Sequence, residues 1–230
     1  MFTKSSLIKV CHLMSVAKEF YMKLQAKDIK MCISMGNTKI GRVMNVSLPP
    51  ILTCANCSEC RKLCYDIKAC LQYPDTVIDA RIRNLVILLK DRDDYFNRIR
   101  EKLARRRKNL FFRWHVAGDI IDIDYFDRMV KLAKEFPAFV FWTYTKNYKV
   151  VNEWIRQHGG KAAIPANLHV MYSEWRGMEM INPYGMPEFR VVFKADPVKP
   201  TGFYCPGNCD VCKKLGRGCL AGETTYCNEH

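Results

Sequence analysis

Two dense groups of cysteine constrain this chain more than any other feature. Eight of its twelve cysteines lie in two short segments near opposite ends of the 230 residues. The first segment reads TCANCSECRKLCY, and the second reads YCPGNCDVCKKLGRGC. Their cysteines are Cys54, Cys57, Cys60, Cys64, Cys205, Cys209, Cys212 and Cys219. Thiolates at such short spacing converge on one metal centre with little strain, so all eight are predicted to be metal ligands.

The compartment expected for the chain favours metal over disulfide bonds. No run of about 18 apolar residues is present, so a membrane-spanning helix is not expected. The N-terminus lacks the apolar stretch and small-residue cleavage site of a signal peptide. We therefore expect a cytoplasmic protein without a membrane partner, and clustered thiols in a reducing compartment bind metal more often than they pair.

The spacing of the cysteines favours iron–sulfur clusters over zinc. The first segment has the form C-x2-C-x2-C-x3-C, which is a ferredoxin-type run, whereas structural zinc commonly uses two separate CxxC pairs. In the second segment Cys205, Cys209 and Cys212 have the spacing CxxxCxxC, and Cys219 completes a set of four. We expect one or two [4Fe–4S] clusters. Zinc remains the alternative, as does a single centre that draws ligands from both segments.

Hydrophobic periodicity predicts an α/β fold. The predicted helices cover 5–25, 75–90, 93–107, 125–135 and 150–158, and the predicted strands cover 29–34, 40–48, 111–116, 139–145, 168–173 and 189–194. Alternating strands and helices favour parallel pairing. We expect a partial (β/α) barrel or an open parallel sheet of four to six strands, with an N-terminal helix and a cysteine-rich C-terminal segment. The whole chain, 1–230, is interpreted as one domain, divided into 1–48, a core at 49–198 and the terminal segment 199–230.

Polar residues follow three of the predicted strands. Gly118 and Asp119 follow the strand at 111–116, Lys146 follows the next, and Ser173 ends the one after. Ligands of parallel α/β sheets bind at the carboxyl ends of the strands, so a site is expected there. Asp119, Lys146 and Ser173 are the candidate catalytic residues, with Lys146 facing a phosphate or carboxylate. Turn capping by Asp119 and simple solvation of Lys146 are the alternatives, and His115 is interpreted as a core histidine.

The charge of the chain favours an anionic partner. The formal net charge is +14 and the pI is about 9.3. Two thiolate centres would each lower the charge by about 2 and leave the protein basic. DNA, RNA or a nucleotide is therefore a candidate partner. The basic run at 105–108 is either a phosphate-binding patch or the charged end of a helix.

The order of these motifs resembles a known family. The succession TC…C…CY, Asn84, HVAGD, FWTYTKN, a serine-bearing strand and a terminal cysteine cluster resembles, over roughly 45–220, a phage-encoded family catalogued as gene product 88. That resemblance implies the cytoplasm of a host cell, and no firm activity comes with it.

The layout also resembles radical S-adenosylmethionine enzymes, in which a cysteine loop follows the first barrel strand and a glycine-rich motif contacts the methionine amine. That resemblance implies S-adenosylmethionine as a cofactor near Gly118 and Asp119. The CxxxCxxC spacing of those enzymes occurs here only in the second segment.

Two functions stay open from the sequence. The first is an iron–sulfur enzyme with a radical-type partial barrel that acts on a nucleotide or nucleic acid. The second is a basic nucleic-acid-binding accessory protein in which zinc or iron–sulfur centres only staple the fold.

Overall fold

A computed structural model describes residues 2–37, 40–57 and 60–229. Within these residues the strands form one eight-stranded sheet. The strands are β1 (Ile33–Ser34), β2 (Met44–Val46), β3 (Phe111–Trp114), β4 (Val140–Thr145), β5 (Leu168–Glu174), β6 (Glu188–Val192), β7 (Phe203–Tyr204) and β8 (Thr225–Asn228).

The sheet is open and mostly parallel. Its strand order is β1-β2-β3-β4-β5-β6-β8-β7, and only β1 pairs antiparallel with its neighbour. The two ends of the described sheet do not pair, so no closed barrel forms. This confirms the predicted α/β class, with an N-terminal helix ahead of the sheet.

Seven α-helices accompany these strands in the described residues. They are α1 (Lys4–Met22), α2 (Tyr65–Gln72), α3 (Asp79–Lys90), α4 (Arg92–Ala104), α5 (Ile123–Glu135), α6 (Tyr148–Gln157) and α7 (Cys209–Leu215), and a π-helical turn (Pro74–Ile78) leads into α3. N-cap residues determine where α4 and α5 begin. Asp91 and Asp122 accept hydrogen bonds from the backbone N–H of Asp94 and Tyr125, as N-caps do.

Each face of the central strands is covered by a different part of the chain. Side chains such as Phe112, Phe141 and Tyr172 pack into the main core with the helices. The alternate side chains of the same strands, such as Trp142 and Met171, lie on the other face and pack against the C-terminal cysteine segment. Both faces of these parallel strands are therefore buried.

The structure differs from the sequence prediction at the edges of the sheet. The predicted strands at 29–34 and 40–48 shrink to two and three residues. The sheet also gains β7 and β8, and β8 inserts between β6 and β7. These strands were missed because they are short and lie among cysteines and turn residues that carry no period-2 pattern.

The basic run closes α4. Arg105 is the C-cap, and the Arg107 guanidinium donates to the Ala104 carbonyl at 2.5 Å. Its charge thus lies at the negative end of the helix dipole.

None of the described helices combines the length and apolar character needed to cross a membrane.

Candidate functional site

The first cysteine segment forms a loop between β2 and α2. Cys60 begins a 3₁₀ turn, and Cys64 occupies the N-cap position of α2. All four of its cysteines are partly buried, and the thiol of Cys57 is hydrogen-bonded to those of Cys54 and Cys60. Ser58 and Glu59, within the same loop, lie outside the described residues. The loop therefore brings consecutive thiols into contact.

Without a metal, protonation of the Cys57, Cys60 and Cys64 thiols is favoured. The hydrogen bond with Cys54, together with burial, raises the pKa of Cys57 to about 11. The hydrogen bond with Cys57 raises the pKa of Cys60, and burial raises that of Cys64. Because metals bind the thiolate, loading this loop must release protons.

Asp119, Lys146 and Ser173 meet at the carboxyl edge of the sheet. Thr145 Oγ1 donates to Asp119 Oδ1 at 2.6 Å, and the backbone N–H of Lys146 donates to Asp119 Oδ2 at 2.9 Å. The Lys146 ammonium lies 3.1 Å from Ser173 Oγ. Since β3, β4 and β5 run parallel, residues that follow them in sequence are gathered at one edge.

The Asp119 carboxyl is buried and 4% exposed. Burial raises its pKa to about 6, although the hydrogen bonds from Thr145 and Lys146 oppose that rise. A carboxyl group with this pKa is partly protonated at neutral pH. It can therefore accept or donate a proton under physiological conditions.

The first cysteine loop lies against the carboxyl edge of the sheet. Asn56, inside the loop, donates from Nδ2 to the Lys146 carbonyl at 2.9 Å. The Lys146 ammonium also opposes the rise in the pKa of Cys60, whereas the Asp119 carboxylate adds to it. The first cysteine loop thus lies within electrostatic reach of Lys146 and Asp119.

Gly118 fixes the approach of this loop to the sheet. Its φ of +85° lies in the left-handed region, and a Cβ there would lie 2.7 Å from both Leu48 Cβ and Thr53 Oγ1. Gly118 therefore packs against the segment that leads into the first cysteine loop. Only glycine combines this conformation with so close an approach.

The second cysteine segment lies on the sheet face opposite to the core that α1 to α6 cover. Cys209 and Cys212 belong to α7, and Cys219 lies in a 3₁₀ turn beyond it. Cys212 and Cys219 are 7% and 8% exposed and belong to a core cluster with Trp142 and Met171. Burial, with the neighbouring cysteines adding to it, raises the pKa of Cys212 to about 12. All four cysteines of this segment are therefore electrostatic neighbours.

The two cysteine groups fit metal–thiolate sites in ligand type and grouping. None of the twelve cysteines, all in the described part of the chain, forms a disulfide. Across the described ranges, no three Cys, His, Asp or Glu side chains are already arranged to hold a metal ion. Binding therefore requires rotation of cysteine side chains that already lie near one another, which is a smaller change than bringing distant segments together.

Other sequence candidates have structural roles. His115 is 3% exposed and contacts the hydroxyls of Thr143 and Tyr125 at 3.3 and 3.0 Å, and burial lowers its pKa to about 3. It is a satisfied core histidine. The Asn84 amide bridges the backbone of Cys32 and Ser47, so it ties β1 to the end of β2.

Sequence reasoning missed three residues of this region. Asn56 connects the first cysteine loop to β4, and Arg113 and Tyr144 lie beside the second cysteine group. An arginine inside an otherwise apolar strand was the available signal for Arg113. Nothing in the local pattern around Asn56 distinguishes it from an ordinary turn residue.

Comparison with known proteins identifies the family. The family described as gene product 88 matches residues 22–193, which is most of the chain. The match begins and ends earlier than the resemblance seen in the sequence, so the second cysteine group lies beyond it. No curated protein and no solved structure matches the chain. The chain belongs to the gene product 88 family.

Proposed function

We propose that this protein is an iron–sulfur enzyme whose working centre is held by the first cysteine loop. The observation that carries the proposal is the connection of this loop to the carboxyl edge, through Asn56 and the Lys146 carbonyl. A thiolate centre in the loop would stand beside Asp119, Lys146 and Ser173. Ligands of parallel sheets bind at this edge, so metal and substrate would meet there.

The loop favours an iron–sulfur cluster over zinc. Its four cysteines occur in a single compact run of ferredoxin type. When bound, such a cluster supplies electrons or a Lewis-acidic iron. Zinc in the same thiols would supply only structure or Lewis acidity, so the two differ in redox chemistry.

The residues at the edge suit an anionic substrate such as a nucleotide or the end of a nucleic acid. The Lys146 ammonium would bind a phosphate or carboxylate oxygen, and the Ser173 hydroxyl beside it would add a hydrogen bond. Asp119 would accept a hydrogen bond from an amine or a ribose hydroxyl, or exchange a proton with it.

S-adenosylmethionine is the more specific ligand proposed for this edge. Its methionine moiety carries both an amine and a carboxylate, which complement Asp119 and Lys146. Gly118 faces the protein's own Leu48–Thr53 segment, so in this proposal it shapes the loop and Asp119 contacts the ligand.

Anaerobic reconstitution with ferrous iron and sulfide tests the centre. Wild-type protein is expected to turn brown, with a broad absorption band near about 400 nm and matching iron and sulfide content. Cys57→Ser/Cys60→Ser should lose the iron and sulfide of one centre, whereas Cys11→Ser on α1 should lose none. A colourless protein that retains only zinc would refute the iron–sulfur proposal.

Ligand binding tests the edge separately. Lys146→Ala should weaken binding of S-adenosylmethionine or inorganic phosphate about 10- to 100-fold, since a hydrogen bond to a charged group contributes about 1.5–3 kcal/mol. The matched control is Lys149→Ala, an exposed lysine at the start of α6. Equal affinities of the two variants would show that the ligand binds elsewhere.

A cleavage assay tests the radical reaction. Reduced wild-type protein should cleave S-adenosylmethionine, and Cys60→Ala should not. If wild-type protein leaves S-adenosylmethionine intact, the radical reaction is excluded.

The second candidate function is nucleic-acid binding without catalysis. It is favoured by the net charge of +14 and by the exposure of the basic run, where the Arg105 side chain is 74% exposed. Binding to DNA or RNA should weaken linearly with the logarithm of salt concentration. Arg105→Ala/Arg106→Ala should reduce that slope by about 2 if both side chains contact phosphates. An unchanged salt dependence would show that the basic run at 105–108 does not bind phosphate and serves only as the charged end of α4.

A further inference from the structure

Arg113 is a partly buried arginine on β3, an interior strand of the sheet. It lies in β3 on the same side of the strand as Phe111, and Phe111 packs against the second cysteine group. Its Nε is fully enclosed and has no hydrogen-bond partner. Its guanidinium lies 4.7 Å from the centre of the Tyr144 ring. None of the described carboxylates forms an ion pair with it, although arginines such as Arg81 and Arg92 have such partners.

A guanidinium is always charged, so enclosing part of it is costly unless a negative charge lies nearby. The Tyr144 ring, against which the Arg113 guanidinium lies, packs on the same cluster as Cys209, Cys212 and Cys219. The Tyr65 hydroxyl donates to the Val116 carbonyl. The cysteines of the second group are therefore the neighbours that can supply the charge, once they are thiolates.

A metal ion binds cysteine as thiolate, and four thiolates around one divalent ion carry a net charge of about −2. Such a centre would place a negative charge beside the Arg113 guanidinium.

We propose that Cys205, Cys209, Cys212 and Cys219 hold a second metal centre and that Arg113 is the cation that balances its thiolate charge. This centre is independent of the catalytic centre proposed above, because none of its ligands comes from the first cysteine loop. Arg113 acts as a positioning residue, since it lies beside the cysteines and would not touch the metal.

The surroundings of the second group suit a closed site. Trp142, Met171 and Leu220 are buried beside Cys212 and Cys219. Zinc and an iron–sulfur cluster share the thiolate chemistry proposed for it, and either would fasten the C-terminal segment to the sheet. A centre enclosed in this way has little room for a substrate, so its role is structural or limited to electron transfer.

The rate of metal release tests the proposal on the full-length chain. The protein is loaded in one arm with iron and sulfide and in another with zinc, and the loss of metal to a chelator is followed in each. Arg113→Gln should release the metal of the second centre about 10- to 100-fold faster than wild type, as removal of a ligand-supporting residue does. Arg113→Lys, which keeps the charge, should restore most of the retention. The second centre is an iron–sulfur cluster if it retains metal in the first sample, and a zinc site if it retains metal in the second.

The control is Arg217→Gln, an arginine near the same cysteines that is paired with Glu223. It should release metal at the wild-type rate, and Cys57→Ser/Cys60→Ser should leave the second centre loaded even if the first centre is lost. Equal release from Arg113→Gln and wild type would overturn the proposal. If Arg113→Gln does not fold, alkylation of the loaded wild type decides, because second-group cysteines as reactive as Cys32 would show that no metal protects them.

Discussion

The two cysteine groups each contain four thiols but occupy different environments. The first is a partly exposed loop at the carboxyl edge, in contact with β4 through Asn56. The second packs against the flat of the sheet, where Cys212 and Cys219 belong to a buried apolar cluster. Similar spacing therefore does not imply a similar role. The polar edge suits chemistry on a ligand, and the apolar face suits a fixed staple.

The largest expected difference between the two groups is in stability. Cys212→Ser/Cys219→Ser would bury two hydroxyls in an apolar cluster and should lower the free energy of unfolding by about 2–6 kcal/mol, at about 1–3 kcal/mol for each group. Cys57→Ser/Cys60→Ser should cost less than about 1 kcal/mol, since those side chains remain partly hydrated. Urea unfolding with excess chelator measures the packing effect alone. Equal losses in the free energy of unfolding would show that the second cysteine group is no more important for the fold than the first.

The anchoring of the first loop is the next largest effect. Arg81 forms an ion pair at 2.5 Å with Asp66, which is 2% exposed and lies two residues after Cys64. Arg81→Met would leave the Asp66 carboxylate buried and unpaired, at a cost of about 3–5 kcal/mol. Arg156→Met removes a pair with Glu153 on the surface and should leave the free energy of unfolding nearly unchanged, because solvent screens exposed ion pairs. Similar unfolding midpoints for the two variants would show that α2 does not depend on the buried pair.

The pH dependence of stability should arise at the carboxyl edge of the sheet, from Asp119, and not at the second cysteine group. The pKa of Asp119 is about 6 when folded and near 3.8 when exposed, so the folded state holds this proton more tightly. Its contribution to stability is complete below about pH 3.8 and is lost as the pH rises through about 6, by up to about 3 kcal/mol. The stability of wild type relative to Asp119→Asn should therefore fall over this range in urea titrations. A difference that stays constant with pH would show that Asp119 does not titrate there.

The smallest effect concerns the approach of the loop to the sheet. Gly118→Ala places a methyl group against Leu48 and Thr53, and this overpacking should cost about 1–3 kcal/mol beyond the strain of its positive φ. Gly159→Ala is the matched control, because it shares a positive φ of +77° but has no atom within 4 Å. It should cost only the backbone strain, about 1–2 kcal/mol. Faster metal release from the first loop in Gly118→Ala alone would confirm that this contact positions the loop, and identical release from both variants would argue against it.

Much of the core could be predicted because its signals are local. The apolar spacing of α5 and the polar residues after β3, β4 and β5 identify the helices, the parallel strands and the edge where Asp119, Lys146 and Ser173 meet. The insertion of β8 between β6 and β7 depends on long-range pairing that no local pattern records. The same holds for the Asp66–Arg81 pair and for the position of Arg113 opposite the second cysteine group.

The most direct test of the distinction between the two groups is cysteine-resolved labelling during metal removal. Metal-loaded, full-length protein is treated with a chelator and an alkylating reagent, and each cysteine is followed by mass spectrometry alongside circular dichroism. We expect the four thiols of the first group to become labelled together while the fold persists; these are Cys54, Cys57, Cys60 and Cys64. Cys205, Cys209, Cys212 and Cys219 should follow later, together with loss of the native signal. Labelling of all eight at one rate, or of the C-terminal four first, would contradict this expectation.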